Sequence, residues 1–203
     1  MQNFIPKLQD HLLGRLLNKE FDGDEHQFTN AERNTVRIVD NRIYSAKVLR
    51  VNYTTYDVRR DQDSMNPSTE HRDIMVLSPE EGEDAHPYWY ARVIGVFHAR
   101  VLHTGPQAVN RSVQHMEFLW VRWFGIVPGH KYGFKVARLP KVGFVPDTDD
   151  QAFGFLDPSL VIRGCHLIPA FADGRTSELL TTQNTAARLP GEIDDYVAYY
   201  VSM

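Results

Sequence analysis

The sequence predicts a mainly β fold, a small barrel or sandwich with an N-terminal amphipathic helix and long loops. Past residue 35 the apolar runs are short and rich in Val, Ile, Tyr, Phe and Trp, and Gly, Pro and Asp turns separate them, as in strand text. About seven or eight such runs follow one another with no intervening helical pattern, which favours an all-β architecture over alternating βα units. At 203 residues the chain is long enough to build one large core without disulfide or metal staples.

Residues 4 to 17 read as the helix. Ile5, Leu8, Leu12, Leu13, Leu16 and Leu17 share one face, and Pro6 suits a first turn opened by Asn3. The stretch FDGDEHQFTNAER follows as a polar, acidic connector, which divides the chain into an extension (1–30) and a β domain (31–203). The leucine face must pack against something, either that domain or a partner helix.

TVRIV and RIYSAKVLRV flank Asp40-Asn41, a pair suited to positive φ, and together predict a hairpin. RDIMVLSP is a strand ending at Pro79. YWYARVIGVFHARVLH is long enough for a bent strand or two short ones. MEFLWVRWFGI is a strand stopped by Pro128-Gly129, and VGFVP, VIRGCHLIPAF and YVAYYVSM complete the set. The chain finishes inside an apparent strand, so the sequence is expected to stop short of the natural terminus.

Composition narrows function chiefly by exclusion. The single cysteine, Cys165, precludes a disulfide framework and fits a reducing compartment. The N-terminus lacks the apolar core of a signal peptide, and no apolar run reaches the roughly 20 residues needed to span a bilayer. A nuclear or cytosolic protein with no membrane partner is therefore expected. The nine histidines form no HExxH or His-x-His pair, and Asp147, Asp149 and Asp150 lack the glycine and glutamate of a calcium loop. There is no phosphate loop and no nucleophile elbow, and Cys165 lies between apolar flanks that predict a buried strand. Neither enzymatic activity nor a metal or other cofactor is expected.

The net charge of −4 hides an asymmetry. Residues 88–142 hold eight basic residues against the single acid Glu117, whereas residues 144–203 hold nine acids against three arginines. Either the two halves pair within the fold, or a basic face serves an anionic partner and an acidic rim a cationic one. Glu80, Glu81, Glu83 and Asp84 stand just before the aromatics Tyr88, Trp89 and Tyr90. Tyr53 and Tyr56 mix with Arg59 and Arg60 in a stretch that also carries Asp57, Asp61 and Asp63. That mixture suits either a nucleic-acid surface or internal ion pairs. Strand alternation sends Tyr88 and Tyr90 to one face and Trp89 to the other, and sets Trp120 and Arg122 opposite Leu119, Val121 and Trp123. Either these rings are all core bulk, or in each set one group fills the core while the other lines a surface and faces a cation.

PYWYARVIGVF, FLWVRWFG, VIRGCHLIP and YYVSM, in that order, resemble the successive strands of a bromo-adjacent homology (BAH) domain over roughly residues 36–203. VRWF at 121–124 is the most specific element. NYTTYDVRRDQD, HPYWYARVIG, VRWFG and FLDPSLVIRGCHLIPAFADGRT further resemble the C-terminal region of fungal proteins associated with the Kyakuja-Dileera-Zisupton (KDZ) class of DNA transposons. The first resemblance implies a small BAH-like β-barrel in a nuclear module that binds a chromatin protein, a histone tail in particular, and in some members methyl-lysine in an aromatic cage. It sets Trp89 and Trp123 at two cage positions and Gly125 where a third ring is usual, so that Tyr53, Tyr56 or Phe124 would have to substitute, or the partner is unmodified. The alternative is a DNA-binding accessory of a transposase, using the basic 88–142 stretch with Arg59 and Arg60; Arg100, Arg111, Lys131 and Lys135 are its further contacts.

Overall fold

The computed structural model describes residues 4–19, 26–82, 85–182 and 185–202. Helix α1 (Phe4–Leu16) turns Leu8, Leu12, Leu13 and Leu16 inward. They join Val101, Phe118, Trp120 and Phe155 in one apolar cluster, so the helix packs on the strands of its own chain. Ile5, expected on the same face, is 51% exposed. Phe4 fills that end instead, its ring 5.0 Å from Phe155 and 5.2 Å from Trp120. Residues 20–25 of the acidic connector lie outside the described residues. Beyond them Thr29 and Glu32 form a capping box that starts a one-turn helix, α2 (Asn30–Arg33). Arg33 then grips Asp10 at 2.7 Å and ties the connector to α1.

The strands are β1 (Val36–Ala46), β2 (Leu49–Thr54), β3 (Arg60–Met65), β4 (Asp73–Leu77), β5 (Tyr88–His103), β6 (Gln114–Ile126) and β7 (Lys141–Phe144). After these come β8 (Phe153–Leu156), β9 (Val161–Gly164), β10 (His166–Pro169), β11 (Arg175–Thr176), β12 (Asp195–Tyr196) and β13 (Tyr199–Ser202). Nine of them share one sheet along the path β10-β13-β7-β6-β5-β4-β9, with β1 added to β5 and β8 to β6. Long β5 remains one strand. Its first half pairs with β4, its second half with β1, and its other edge with β6 across a bulge at Ile94.

The expected hairpin at Asp40-Asn41 does not form. Both residues do take positive φ, 58° and 51°. They sit in a bulge within β1, where residues 39–42 stand opposite Arg100 alone and the flanking segments both pair with β5. The left-handed pair that suits a tight turn also suits a bulge. A hairpin forms instead between β2 and β3, whose polar text gives little strand signal.

The expected single strand through VIRGCHLIP is two strands, β9 against β4 and β10 against β13, with Cys165 between them. These are the two ends of the sheet path. Seven strands laid flat would set those ends about 29 Å apart, yet a single residue joins them. The sheet must therefore curl until its ends meet. No ladder joins β9 to β10, so the closed barrel expected from the sequence is absent among the described residues and the curled sheet stays open.

Buried ion pairs lock the middle of this sheet. Arg92 donates to both carboxylate oxygens of Asp73, at 2.7 and 2.9 Å. Arg122, with no exposed surface, donates to Asp195 at 3.1 Å and to the carbonyl of Leu179 at 2.9 Å, and its guanidinium lies 3.7 Å from the centre of the Phe144 ring. Arg188 donates to the same Asp195 oxygen at 2.9 Å.

Leu12→Ala is expected to lower the unfolding free energy by about 2–5 kcal/mol, and Ile5→Ala by less than about 0.5 kcal/mol, both read from urea denaturation. Asp195→Ala strands two buried guanidinium groups, and the same measurement should show a loss of about 3–5 kcal/mol.

Candidate functional site

Beyond the Tyr90–Phe124 pair, β5 and β6 both run on, to Tyr88 and Ile126, but no longer pair with each other. There β5 holds only to β4, with Trp89 opposite Val76, and β6 only to β7, with Gly125 opposite Gly143. The strands fork, and a cleft of about 400 Å³ fills the fork. Trp89 and Trp123 wall it, their rings edge-to-face with centres 5.9 Å apart and planes at 75°. Both indoles are half-buried against the cluster around Val93 and Val121. Each ring is thus held by packing on one side and open to the cleft on another.

Glu80, Tyr88 and Gln151 add polar groups to the lining. A Cβ placed on Gly125 would meet nothing within 4 Å, so the position where a third cage ring is usual is open space. None of the three substitutes fills it. Tyr53 is turned toward Arg163, whose guanidinium lies 4.2 Å from the ring centre. Tyr56 stands wholly exposed at the β2–β3 turn. Phe124 reaches the cleft's lining, but its ring is buried and stacked on Phe144 at 4.1 Å. The cleft therefore has two indole walls, with Tyr88 and the Glu80 carboxylate also in its lining. Glu80 belongs to the acidic run noted before the aromatics, but its place beside the tryptophans follows from the fold.

His86, at the back of the cleft, is buried between two tyrosines. Its Nδ1 lies 3.0 Å from the Tyr132 hydroxyl and its Nε2 2.9 Å from the Tyr90 hydroxyl. In a neutral ring one nitrogen donates and the other accepts. Burial holds this histidine below its ordinary value near 6.5, against an upward pull from Glu80. His103 is likewise lowered, by burial and then by Arg111.

The basic residues of 88–142 do not form one face. Arg92 and Arg122 are buried in the ion pairs described above. Arg111 lies in the β5–β6 connection and Lys131 and Lys135 in the β6–β7 connection, at opposite ends of a strand about 40 Å long. Arg100 lies 3.9 Å from Asp40, and Arg59 pairs with Asp57 at 2.9 Å within its own turn. Arg60 is exposed at the start of β3. Arg163 and Asp63 pair at 3.4 Å, so this region's charges are partly spent internally.

Among the described residues no group of three or more His, Cys, Asp or Glu is placed to hold a metal ion, and no helix is long and apolar enough to cross a membrane. Burial, reinforced by Asp73, pushes the Cys165 thiol far above its ordinary range, which disfavours the thiolate a nucleophile needs. Asp147 accepts from the backbone and hydroxyl of Thr181, a tie between distant segments, and Asp149 accepts from the backbone of Gln151 within its own turn. No family model, curated protein or solved structure matches this chain.

Because His86 and His103 are held low, the unfolded chain takes up these protons first as pH falls. Stability is expected to hold above about pH 6.5 and to decline toward about pH 5. Thermal unfolding across that window should show the decline. His86→Gln, whose amide can still bond both tyrosines, should lessen it and leave the part due to His103.

Proposed function

We propose that this chain is a non-catalytic nuclear interaction module that takes a cationic side chain of a chromatin protein, a histone tail foremost, into the Trp89–Trp123 cleft. The observation that carries the reading is the forked strand pair with two edge-to-face indoles and Glu80 around one cavity. An ammonium or methylammonium group over an indole gains about 0.5–2 kcal/mol, and a nearby carboxylate adds charge attraction. With the Glu80 carboxylate in its lining, the cleft favours lysine states that keep an N–H to donate, the mono- and dimethyl forms over the trimethyl. The curled sheet is read as an open relative of the barrel that the BAH resemblance implies, and the transposon-associated resemblance names a genomic neighbourhood more than an activity.

The test is a histone-peptide array followed by calorimetry, with Trp89→Ala beside the parent protein. Binding that depends on lysine methylation and weakens about tenfold in the variant, with the variant still folded by circular dichroism at the assay temperature, is expected. A blank array, or binding that Trp89→Ala leaves untouched, would remove the reading.

A further inference from the structure

The β6–β7 connection, residues 127–140, builds a second and separate surface. Its tip is closed by the backbone of Gly133, which donates to Arg138 at 2.9 Å, and by the reverse bond at 3.4 Å. Between them Phe134–Val136 makes a single 3-10 turn, with Gly133 at φ 101° and Ala137 left-handed at φ 49°. This geometry lifts Phe134 to the apex, where its side chain is wholly exposed (107%). A phenylalanine in water on an ordered turn gains nothing for the fold.

Beside the tip lies a cleft of about 490 Å³ lined by His130, Arg138, Leu139 and Tyr200. The His130 and Tyr200 rings are 6.0 Å apart, and Nε2 of His130 donates to the carbonyl of Leu139, which fixes the imidazole against the loop. No acid occurs between Glu117 and Asp147 in the sequence. Lys131, Lys135 and Arg138 are exposed and form no ion pair among the described residues, whereas Lys141 is engaged by Asp173 at 2.5 Å.

We propose that this loop and the adjoining Tyr200 of β13 bind single-stranded nucleic acid, with bases stacked on Tyr200 and Phe134 and phosphates held by Lys131, Lys135 and Arg138. Rings interleaved with unpaired cations are the elements of such a surface. A duplex keeps its base faces stacked and offers these rings no partner. A lipid surface would meet Phe134 but not the recessed Tyr200. The inference is independent of the Trp89 cleft and uses none of its residues.

The test is fluorescence anisotropy with a labelled oligothymidine and a duplex of equal length across a salt series. Single-strand binding should be the tighter of the two. Phe134→Ala should weaken it about tenfold. The double variant Lys131→Glu/Lys135→Glu should reduce the log–log salt slope by about 1.4, the share of two phosphate contacts. Trp89→Ala should leave it unchanged. The proposal is overturned by no binding, by equal affinity for the duplex, by variants that bind like the parent, or by loss of binding in Trp89→Ala. It is equally overturned if the parent ignores the oligonucleotide but binds phosphatidylserine vesicles through Phe134.

Discussion

Arg92 on β5 and Arg122 on β6 are direct partners across the strand pair, two cations side by side beneath the protein surface. Like charges so placed repel, and both are largely cut off from water. The surrounding structure supplies what they require. Asp73 arrives from β4 and Asp195 from β12, and the ring of Phe144 on β7 lies 4.9 Å from one guanidinium and 3.7 Å from the other. Arg188 leaves these buried side chains with three cations against two carboxylates; the carbonyls of Leu179, Leu180 and Thr182 accept from further guanidinium N–H groups, while Nε of Arg122 and Nε of Arg188 stay without a hydrogen-bond partner among the described residues. A buried charge without its partner is far costlier than the pair is favourable. Segments far apart in the chain are thereby held to one arrangement.

That arrangement also sets the cleft. Arg92 and Arg122 fix which residues of β5 and β6 stand opposite each other. Alternation then sends Tyr90 and Phe124 to the arginine side and Trp89 and Trp123 to the other. A slip of one residue would exchange the two faces and bury the wrong rings. The indoles meet at the fork because the register beneath them cannot move.

Much of this was legible in the residues. The leucine face of α1, the opposite placement of Trp120 and Trp123, and the left-handed backbone at Asp40-Asn41 all follow from local rules. What the residues left open was the identity of partners. A positive-φ pair reads alike in a turn and in a bulge, and VIRGCHLIP reads alike whether one neighbour receives it or two. Formal charge gives no measure of burial, so Arg92 and Arg122 counted toward a basic face that they do not join. The β2–β3 hairpin escaped because RDQDSM has no apolar alternation, and the helix turn that Thr29 and Glu32 cap lay inside what reads as a polar connector. At the cleft the tryptophans came from the family resemblance. Glu80 and Gln151 come near them only through the fold.

The junction at Cys165 has a consequence for how the molecule is made. β13 lies between β10 and β7, and it is the last of these strands to leave the ribosome. Until then β7 and β10 each carry a bare edge open to stray pairing in the nascent chain. The β5–β6 pair is joined by a short connection and can form early at little loop entropy. Completing the sheet path depends on contacts of long sequence separation, which are slow to assemble. Folding of this domain is therefore expected to start from the β5–β6 pair as the early scaffold and to end with the docking of β13.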